Sequence, residues 1–278
     1  MNLAPLNITR ILKDHNLHPK KQLGQNFLVD THALQRVIEA AEIEPGDEVL
    51  EIGPGLGSLT RLLAVTARQV TAVEIDDQLI PVLKEVLTPF SNVKVIQGDI
   101  LKLDISKLIT TENYIVVANI PYYITSAVLR HLLGSHPRPD RMVLTIQREV
   151  AERICARDAK MSLLSLSVHI YGKPSIASRI PAGCFYPVPD VESSVIKIDL
   201  YPDPAIPPRL LDTFFVLAHA GFAQKRKTLR NSLSAGLSIS ADKAAHLLEI
   251  SGIDPQRRAE TLSISEWEKL SRAYDQKA

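Results

Sequence analysis

The stretch of residues 49–57 constrains the fold of this chain more than any other. It reads Val-Leu-Glu-Ile-Gly-Pro-Gly-Leu-Gly, and its apolar start, residues 49–52, is typical of a buried parallel strand. Glycine suits the turn that follows because the backbone must bend sharply and approach a ligand closely. Such a turn opens a nucleotide-type site at the carboxyl end of a sheet. The spacing Gly53-x-Gly55-x-Gly57 differs from the dinucleotide fingerprint, so taken alone it is equally consistent with a tight turn.

Strand and helix patterns alternate around this turn. Further strands are predicted at residues 69–75, 93–97, 114–118 and 141–146, and helices at residues 30–41, 77–87 and 125–133. Asp30 or Thr31 is the predicted N-cap of the first of these helices. The alternation predicts an α/β fold with a doubly wound parallel sheet.

The C-terminal third has a different character. Alternating residues at 191–199, after Pro187 and Pro189, predict an antiparallel strand, and the four prolines within residues 201–208 predict a linker. Residues 209–278 show about four helical segments and no strand pattern. We therefore predict two domains, a catalytic domain at residues 1–203 and a small all-helical domain at residues 209–278.

Size and composition limit the class of protein. The chain has 278 residues, 45% of them hydrophobic, and a net charge of +1, so any basic surface must be local. The two cysteines, Cys155 and Cys184, predict a reducing compartment and buried structural thiols, and no metal site. No run of about 18 apolar residues and no signal sequence is present, which predicts a cytoplasmic protein.

Two acidic residues end predicted strands beside the glycine turn. Glu74 ends the second strand, where a carboxylate accepts hydrogen bonds from ribose hydroxyls, although a plain surface carboxylate is the alternative. Asp99 follows the third strand, where it suits an adenine amino group. With Gly53, these residues favour an S-adenosyl-methionine pocket over a dinucleotide site.

The sequence Asn119-Ile120-Pro121-Tyr122 follows the fourth strand and favours methylation of an aromatic amine. The amine lone pair is delocalised into the ring, so acceptors for both amine hydrogens are needed to direct it at a methyl donor. The Asn119 side-chain oxygen and the Ile120 carbonyl provide such acceptors, while Pro121 fixes the turn. Positioning then replaces a strong base, and Tyr122 would stack on the extruded base. A simple Asn-Pro turn is the alternative.

Taken together, the motifs resemble those of the bacterial small-subunit rRNA adenine dimethyltransferases, the KsgA or RsmA family, over essentially the whole chain. Besides the stretches above, the resemblance rests on residues 24–28 (Gly-Gln-Asn-Phe-Leu), 185–189 (Phe-Tyr-Pro-Val-Pro), 225–231 (Lys-Arg-Lys-Thr-Leu-Arg-Asn) and 258–263 (Arg-Ala-Glu-Thr-Leu-Ser). It implies a Rossmann-like class I S-adenosyl-methionine-dependent methyltransferase fold with a helical C-terminal domain. It also implies an enzyme that dimethylates two adjacent adenosines in the hairpin loop near the 3′ end of 16S rRNA. No motif indicates a dimer, so a monomer is expected.

The resemblance also assigns site residues. From the residues alone, the polar segment 20–28 has the pattern of a solvated linker, and Phe185 is as consistent with a core side chain as with a functional one. The family places the segment over the cofactor and Phe185 on the target adenine, opposite Tyr122. The implied catalytic residues are Asn119, Ile120, Pro121, Tyr122 and Phe185. The implied cofactor-binding residues are Gln25, Asn26, Leu28, Gly53, Gly55, Glu74, Ile75, Asp99, Ile100 and Asn119.

A basic run is the predicted RNA contact. By itself it has the pattern of a solvated helix face, but in a helical domain that holds RNA, phosphate contact is the better interpretation. A near-neutral protein with local basic patches suits RNA recognised by shape. The predicted RNA-binding residues are Lys20, Lys21, Arg148, Arg153, Lys225, Arg226, Lys227 and Arg230.

Three alternatives stay open at the level of sequence. A large-subunit rRNA adenine methyltransferase of the macrolide-resistance (Erm) type shares the sheet and the aromatic clamp, although the C-terminal motifs favour the small-subunit enzyme. A ribosome-assembly factor would bind immature subunits as its main task. A dehydrogenase is the least favoured, because nothing in the second domain supplies a hydride-transfer site.

Overall fold

The structure, a computed structural model, describes residues 3–157 and 160–276. The strands are β1 (Phe27–Leu28), β2 (Glu48–Ile52), β3 (Gln69–Glu74), β4 (Val93–Gln97), β5 (Ile115–Asn119), β6 (Arg141–Gln147), β7 (Gly172–Ile180), β8 (Phe185–Tyr186) and β9 (Ser193–Leu200). The α-helices are α1 (Ile8–Asp14), α2 (Thr31–Ala41), α3 (Ser58–Thr66), α4 (Ile80–Leu87), α5 (Thr125–Leu133), α6 (Arg148–Cys155), α7 (Leu163–His169), α8 (Leu211–Phe222), α9 (Leu229–Gly236), α10 (Ala241–Ile250) and α11 (Ile264–Asp275).

Seven strands form the central sheet, in the order β4-β3-β2-β5-β6-β9-β7. The pairs β2–β3, β2–β5, β3–β4 and β5–β6 are parallel, and β9 runs antiparallel to β6. The predicted α/β fold with its doubly wound sheet is confirmed, and so is the late antiparallel strand. The strand order reverses between β2 and β5, and a ligand crevice is expected beyond the carboxyl ends of the strands at such a reversal.

Helices α2 and α3 cover one face of this sheet. Their apolar side chains, such as Val37 and Leu63, form a core cluster with Val49, Val117 and Val143 from three adjacent strands. Asp30 caps α2 by accepting a hydrogen bond from the Ala33 N–H at 2.7 Å, which confirms one of the two predicted caps. The parallel pairing of β2 with β5 holds their carboxyl ends side by side, with Ile52 opposite Ala118.

The chain divides into two compact units. One consists of Met1–Glu152 and Pro174–Leu200, and the other of Arg153–Lys173 and Tyr201–Ala278. The second unit contains helices α7 to α11 and includes a segment that precedes β8 and β9 in sequence. Residues 201–207 form no helix or strand.

Three elements differ from the sequence predictions. The linker interpretation of residues 20–28 is wrong, because Lys21–Leu23 form a 3₁₀ turn and Phe27 and Leu28 are buried. Helix α4 begins at Ile80, three residues later than predicted, because the Leu79 N–H bonds the Asp76 carbonyl in a turn before the helix. Strand β7 is absent from the prediction because it lies at the sheet edge and alternates irregularly between buried and exposed residues.

The two cysteines are free thiols and are partly exposed, so the expectation that they are buried is wrong. Burial of part of the Cys155 side chain still raises its pKa to about 11. Within the described ranges, no three His, Cys, Asp or Glu side chains cluster as ligands of a metal ion, and no helix is long and apolar enough to cross a membrane.

Candidate active site

The glycine turn after β2 forms the floor of the site. Gly55 has a φ of +58°, and a Cβ there would lie 2.9 Å from ring carbons of Phe27. Any larger residue would therefore strain the backbone and displace Phe27. Gly53 has a φ of +70°, and apart from its chain neighbours a Cβ there would meet only the Asn119 carbonyl oxygen, at 3.8 Å, among the described residues. The backbone beside Gly53 is thus open to a ligand.

A cavity of about 230 Å³ opens above this turn, at the carboxyl ends of β2, β3, β4 and β5. Its walls bring together every residue that the resemblance assigns to the cofactor and most of those that it assigns to catalysis. The predicted residues in the walls are Gln25, Asn26, Leu28, Gly53, Gly55, Glu74, Ile75, Asp99, Ile100, Asn119, Ile120, Pro121 and Tyr122. The position matches the crevice expected from the sheet topology.

Glu74 is held firmly in the cavity wall. One carboxylate oxygen accepts a hydrogen bond from the Gly55 N–H at 2.9 Å, and the other accepts one from the Asp76 N–H at 2.9 Å. Burial raises the pKa of Glu74, and these hydrogen bonds oppose that shift. Since a carboxylate has about four lone-pair sites, acceptor capacity remains for ligand hydroxyls.

Glu51 is a second buried acid in the same cavity wall. It is 1% exposed, and its Oε2 atom has no hydrogen-bond partner within the described ranges. Burial, reinforced by the nearby charge of Glu74, raises the pKa of Glu51 to about 8, although the Thr60 hydroxyl opposes the shift. A cationic ligand would relieve this cost because it would stabilise the ionised carboxylate. The pair of acids therefore suits a ligand that carries positive charge.

The Asn119 side chain has a fixed orientation. Its Nδ2 donates a hydrogen bond to the Asn26 carbonyl at 2.8 Å. A carbonyl can only accept, so this contact assigns the nitrogen and leaves Oδ1 as a free acceptor in a cavity-lining residue. The Pro121 carbonyl accepts the Ile124 N–H at 3.1 Å.

The two aromatic residues of the predicted clamp lie in different surroundings. Tyr122 lines the cavity, and its hydroxyl lies 2.9 Å from the Ser193 Oγ at the start of β9. Burial raises the pKa of Tyr122, so its hydroxyl stays neutral. Phe185 is 2% exposed, pairs with Leu28 between β8 and β1, and belongs to the core cluster with α2. The structure therefore does not place Phe185 in the cavity wall opposite Tyr122, and the core alternative describes its position.

Lys20 and Gln25 bind a buried carboxylate. The Lys20 Nζ lies 2.7 Å from one oxygen of Asp76, and the Gln25 Nε2 donates to the other at 2.7 Å. Burial alone would raise the pKa of Asp76, but these bonds outweigh it and lower the pKa. Neither side chain extends freely toward solvent, in contrast to the exposed Lys21.

The remaining predicted RNA contacts fall into two groups. In the first unit, Arg148 is exposed and forms an ion pair with Glu192 at 2.6 Å. In the second unit, Arg153 is exposed, and the basic run lies in the turn between α8 and α9, not on the helix face that its sequence pattern suggested. In that turn Lys225, Arg226 and Lys227 are exposed, whereas Arg230 is half-buried at the start of α9.

Sequence reasoning missed three residues of this site. Glu51 interrupts an otherwise apolar buried strand, and that interruption is a signal in the sequence that could have identified it. Asp76 and Ser193 gave no such signal, because their partners lie 56 and 71 residues away along the chain.

Comparison with known proteins identifies the family. The model of the family described as ribosomal RNA adenine dimethylase matches residues 16–276. A ribosomal RNA small subunit methyltransferase A of Dehalococcoides mccartyi is 46% identical over 95% of this chain and 91% of the relative. One from Pelotomaculum thermopropionicum is 40% identical over 98% of this chain and 96% of the relative.

Two solved structures agree with this family. The 23S rRNA methyltransferase ErmE is 28% identical, with a TM-score of 0.71 over 90% of this chain and 100% of that chain. A dimethyladenosine transferase of Plasmodium falciparum is 26% identical, with a TM-score of 0.75 over 89% of this chain and 97% of that chain. A methyltransferase family implies a methyl donor of the S-adenosyl-methionine type, and the buried acids of the cavity suit such a cation. The motifs, the fold and the relatives all agree: this chain belongs to the ribosomal RNA adenine dimethylase family.

Proposed function

We propose that this protein dimethylates the amino nitrogens of two adjacent adenosines in the hairpin loop near the 3′ end of 16S rRNA, using S-adenosyl-methionine. The observation that carries the proposal is the oriented amide of Asn119 in the wall of a cavity that also contains Glu74 and Gly53. Relatives at 40–46% identity that are named ribosomal RNA small subunit methyltransferase A support the small subunit as the substrate. The modification belongs to rRNA processing and to the biogenesis of the ribosome.

The cofactor would lie in the cavity along the ends of β2 to β5. Glu74 would accept hydrogen bonds from ribose hydroxyls, Asp99 from the adenine amino group, and the open backbone at Gly53 would admit close approach. Ile75 and Ile100 would supply apolar contacts to the adenine, and Asn26 and Leu28 would cover the ligand. The unpartnered carboxyl of Glu51 would face its positive charge. When bound, the cofactor supplies an electrophilic methyl group on a sulfonium centre.

The target amine would be held by two acceptors. The Asn119 Oδ1 accepts one amine hydrogen, because the Nδ2 of the same amide is bound to Asn26. The other amine hydrogen is bound by the Ile120 carbonyl. Of the two carbonyls that follow Asn119, the Pro121 carbonyl is already occupied by the Ile124 N–H. These contacts pull the nitrogen toward tetrahedral geometry and direct its lone pair into the cavity. No strong base is needed, because the alignment of the groups lowers the barrier.

The target base would stack on Tyr122, whose ring is fixed by the hydrogen bond to Ser193. Stacking of a base on an aromatic side chain contributes roughly 1–3 kcal/mol. Phe185 is buried and pairs with Leu28 of β1. It would complete the predicted clamp only if the segment that carries it moves on RNA binding. We therefore assign base stacking to Tyr122.

The helical unit would hold rRNA through the exposed turn at Lys225, Arg226 and Lys227, with Arg230, by contacts to phosphates. Lys21, Arg148 and Arg153 would add contacts from other surfaces. Lys20 and Gln25 are bound to Asp76, so we assign neither of them to RNA. We place the reaction in the cytoplasm and assign it to a monomer, since one chain supplies every residue of the proposed site.

The experiment that tests this function compares small and large ribosomal subunits that lack the modification. Each is incubated with the protein and labelled S-adenosyl-methionine, and the nucleosides are then analysed. We expect dimethyladenosine in the small subunit only. Label confined to the large subunit would assign the chain to the resistance type instead.

A second arm addresses the assembly alternative. Glu74→Ala should abolish methylation because it removes the proposed acceptor for the ribose hydroxyls. If the variant still binds immature small subunits and promotes their maturation as well as the wild type, the protein is chiefly an assembly factor. Failure of both activities together would contradict a separate binding role.

A further inference from the structure

Residues 20–28, called the N-terminal segment, are bound by the carboxylate of Asp76, which lies two residues after β3. The Asp76 side chain is 2% exposed, and its two oxygens bind the Lys20 Nζ and the Gln25 Nε2, each at 2.7 Å. The Gln25 Oε1 in turn accepts the Lys20 N–H at 2.7 Å, which closes a ring of three hydrogen-bonded residues. Both ends of the Gln25 amide are therefore engaged within the protein.

This ring fixes the backbone on either side of Gln25. Gly24 has a φ of +61°, and a Cβ there would lie 3.1 Å from the Pro121 Cβ, so the segment packs closely on the turn that follows β5. Asn26 follows directly, and its side-chain amide donates back to the Gly24 carbonyl at 3.3 Å. The position of the Asn26 carbonyl is thus set by contacts on both sides.

The Asn26 carbonyl is the group that orients the Asn119 amide. It accepts the Asn119 Nδ2 at 2.8 Å, so the oxygen of that amide must point the other way. Without this acceptor, the amide could rotate by half a turn and present its N–H₂ group to the target amine. The N–H₂ groups of the amide and of the target amine, both donors, would then face each other. The lone pair of the amine would no longer be directed at the methyl donor.

We propose that Lys20, Gln25 and Asp76 are positioning residues for methyl transfer, which hold the N-terminal segment so that the Asn26 carbonyl fixes the acceptor orientation of Asn119. The inference rests on the proposed function of Asn119 and assigns Lys20 and Gln25 to roles other than RNA or cofactor binding. Asp76 also joins the cofactor site to the segment, because its backbone N–H donates to the Glu74 carboxylate at 2.9 Å while its own carboxylate binds Lys20 and Gln25. The ring therefore connects both halves of the proposed reaction.

The kinetic test uses Lys20→Met, which removes the charge but keeps the aliphatic stem, with Lys20→Arg as the conservative variant. On small subunits, Lys20→Met should lower kcat by about 10- to 100-fold, the size of effect that misplacement of a reacting group produces. The KM for the subunit and its salt dependence should change little, and Lys20→Arg should restore most of the rate. Gln25→Leu, which keeps the Lys20–Asp76 ion pair, should show a smaller fall in kcat.

The matched control is Lys21→Met, at the exposed neighbouring lysine. Removal of a phosphate-binding cation there should raise KM and reduce the salt dependence while kcat is retained. If Lys20→Met behaves in the same way as Lys21→Met, then Lys20 contacts RNA and the positioning role is wrong.

A direct readout does not depend on activity. In ¹⁵N-asparagine-labelled protein, the side-chain amide of Asn119, assigned by its absence in Asn119→Asp, should exchange slowly with solvent. Lys20→Met and Gln25→Leu should each speed this exchange by at least about tenfold, in variants whose circular dichroism spectra match the wild type. Unchanged exchange in both variants would overturn the proposal, whereas inactivity of the wild-type protein on small subunits would overturn only the proposed function.

Discussion

At the scale of single residues, Glu51 is a buried acid whose pKa lies well above its ordinary value. It lies in β2, is 1% exposed, and has one carboxylate oxygen without a hydrogen-bond partner in the described part of the chain. Its pKa is raised from 4.5 to about 8, mainly by burial. Burying an apolar residue at this position would cost less free energy in the ligand-free protein than burying an acid. The simplest explanation of the acid is therefore that it binds a positively charged ligand.

The raised pKa of Glu51 predicts how stability changes with pH. Between pH 4.5 and about 8, the unfolded chain has released this proton and the folded chain has kept it, so stability falls as pH rises. The slope from this group is at most about 1.4 kcal/mol per pH unit. Glu51→Gln removes it, so the free energy of unfolding of the variant should exceed that of the wild type increasingly from pH 5 to pH 8.

Urea unfolding at a series of pH values measures this difference, with the exposed Glu112→Gln as control. The same Glu51→Gln variant should bind S-adenosyl-methionine more weakly, because the carboxylate can no longer balance the positive charge. Calorimetry in buffers of different ionisation enthalpy should show proton release on binding to the wild type below pH 8. A stability difference between Glu51→Gln and the wild type that does not vary with pH would contradict the raised pKa of Glu51.

The contact between Tyr122 and Ser193 gives a second prediction at this scale. Ser193 is fully buried, so Tyr122→Phe leaves its hydroxyl without its partner, at a cost of roughly 1–3 kcal/mol in the free energy of unfolding. Ser193→Ala should cost a similar amount, and the double variant should be no less stable than either single one. Additive losses in urea unfolding would show that the hydroxyl pair is not coupled.

Single residues were predictable from the sequence where they follow a strand. Glu74, Asp99 and Asn119 each stand at or just after the end of a parallel strand, and such ends meet at one edge of the sheet. Asp76 was not predictable as a positioning group, since its role depends on a lysine 56 residues away. The burial of Phe185 depends on pairing between β1 and β8, which only the folded chain reveals.

At the scale of elements, the glycine turn and the N-terminal segment are packed against each other. Gly55→Ala should destabilise the protein by about 1–2 kcal/mol through its left-handed backbone alone. The new methyl group also meets the Phe27 ring at 2.9 Å and should displace β1 from the cavity. We therefore expect weaker binding of S-adenosyl-methionine as well as a lower midpoint of unfolding.

The control for this variant is Gly46→Ala, in the turn before β2. Gly46 has an ordinary φ, and apart from its chain neighbours no atom of the described residues lies within 4 Å of the position of its Cβ, so the substitution should be neutral or slightly stabilising. Cofactor affinity measured by calorimetry should fall for Gly55→Ala only. Wild-type affinity in Gly55→Ala would mean that the contact with Phe27 does not shape the cavity.

Elements with a strong apolar period were predictable, and those fixed by long-range contacts were not. The buried residues of strand β2 form a continuous run, and those of helix α2 recur at helical spacing. Both patterns are visible in the sequence. Strand β1 has only two residues and exists because it pairs with β8, which lies far along the chain. Strand β7 contains Pro174 and mostly exposed residues, which weakens any strand pattern.

At the scale of the whole molecule, a net charge of +1 leaves RNA binding to local groups of cations. The exposed turn between α8 and α9 holds three consecutive cations, Lys225, Arg226 and Lys227. The helical nature of the C-terminal region was predicted, but the position of these cations in a turn was not. A turn suits them to RNA because it projects all three side chains from the surface.

Neutralising this turn should weaken binding of the small subunit in a salt-dependent way. For the triple variant Lys225→Gln, Arg226→Gln and Lys227→Gln, the slope of log affinity against log salt should fall by about one unit for each phosphate that is no longer neutralised. Filter binding over a range of salt concentrations measures the slope, with the exposed Lys94→Gln of β4 as control. An unchanged slope would exclude these cations from the RNA interface.

The measurement that tests the account most directly is nucleoside analysis of small subunits after reaction with Asn119→Ala. The control is Asn113→Ala, at an exposed asparagine that precedes β5 and lies outside the residues that line the cavity. We predict that Asn119→Ala folds as the wild type does and forms almost no monomethyl- or dimethyladenosine, whereas Asn113→Ala forms dimethyladenosine at the wild-type rate. Wild-type levels of dimethyladenosine with Asn119→Ala would contradict the central claim that this oriented amide holds the target amine.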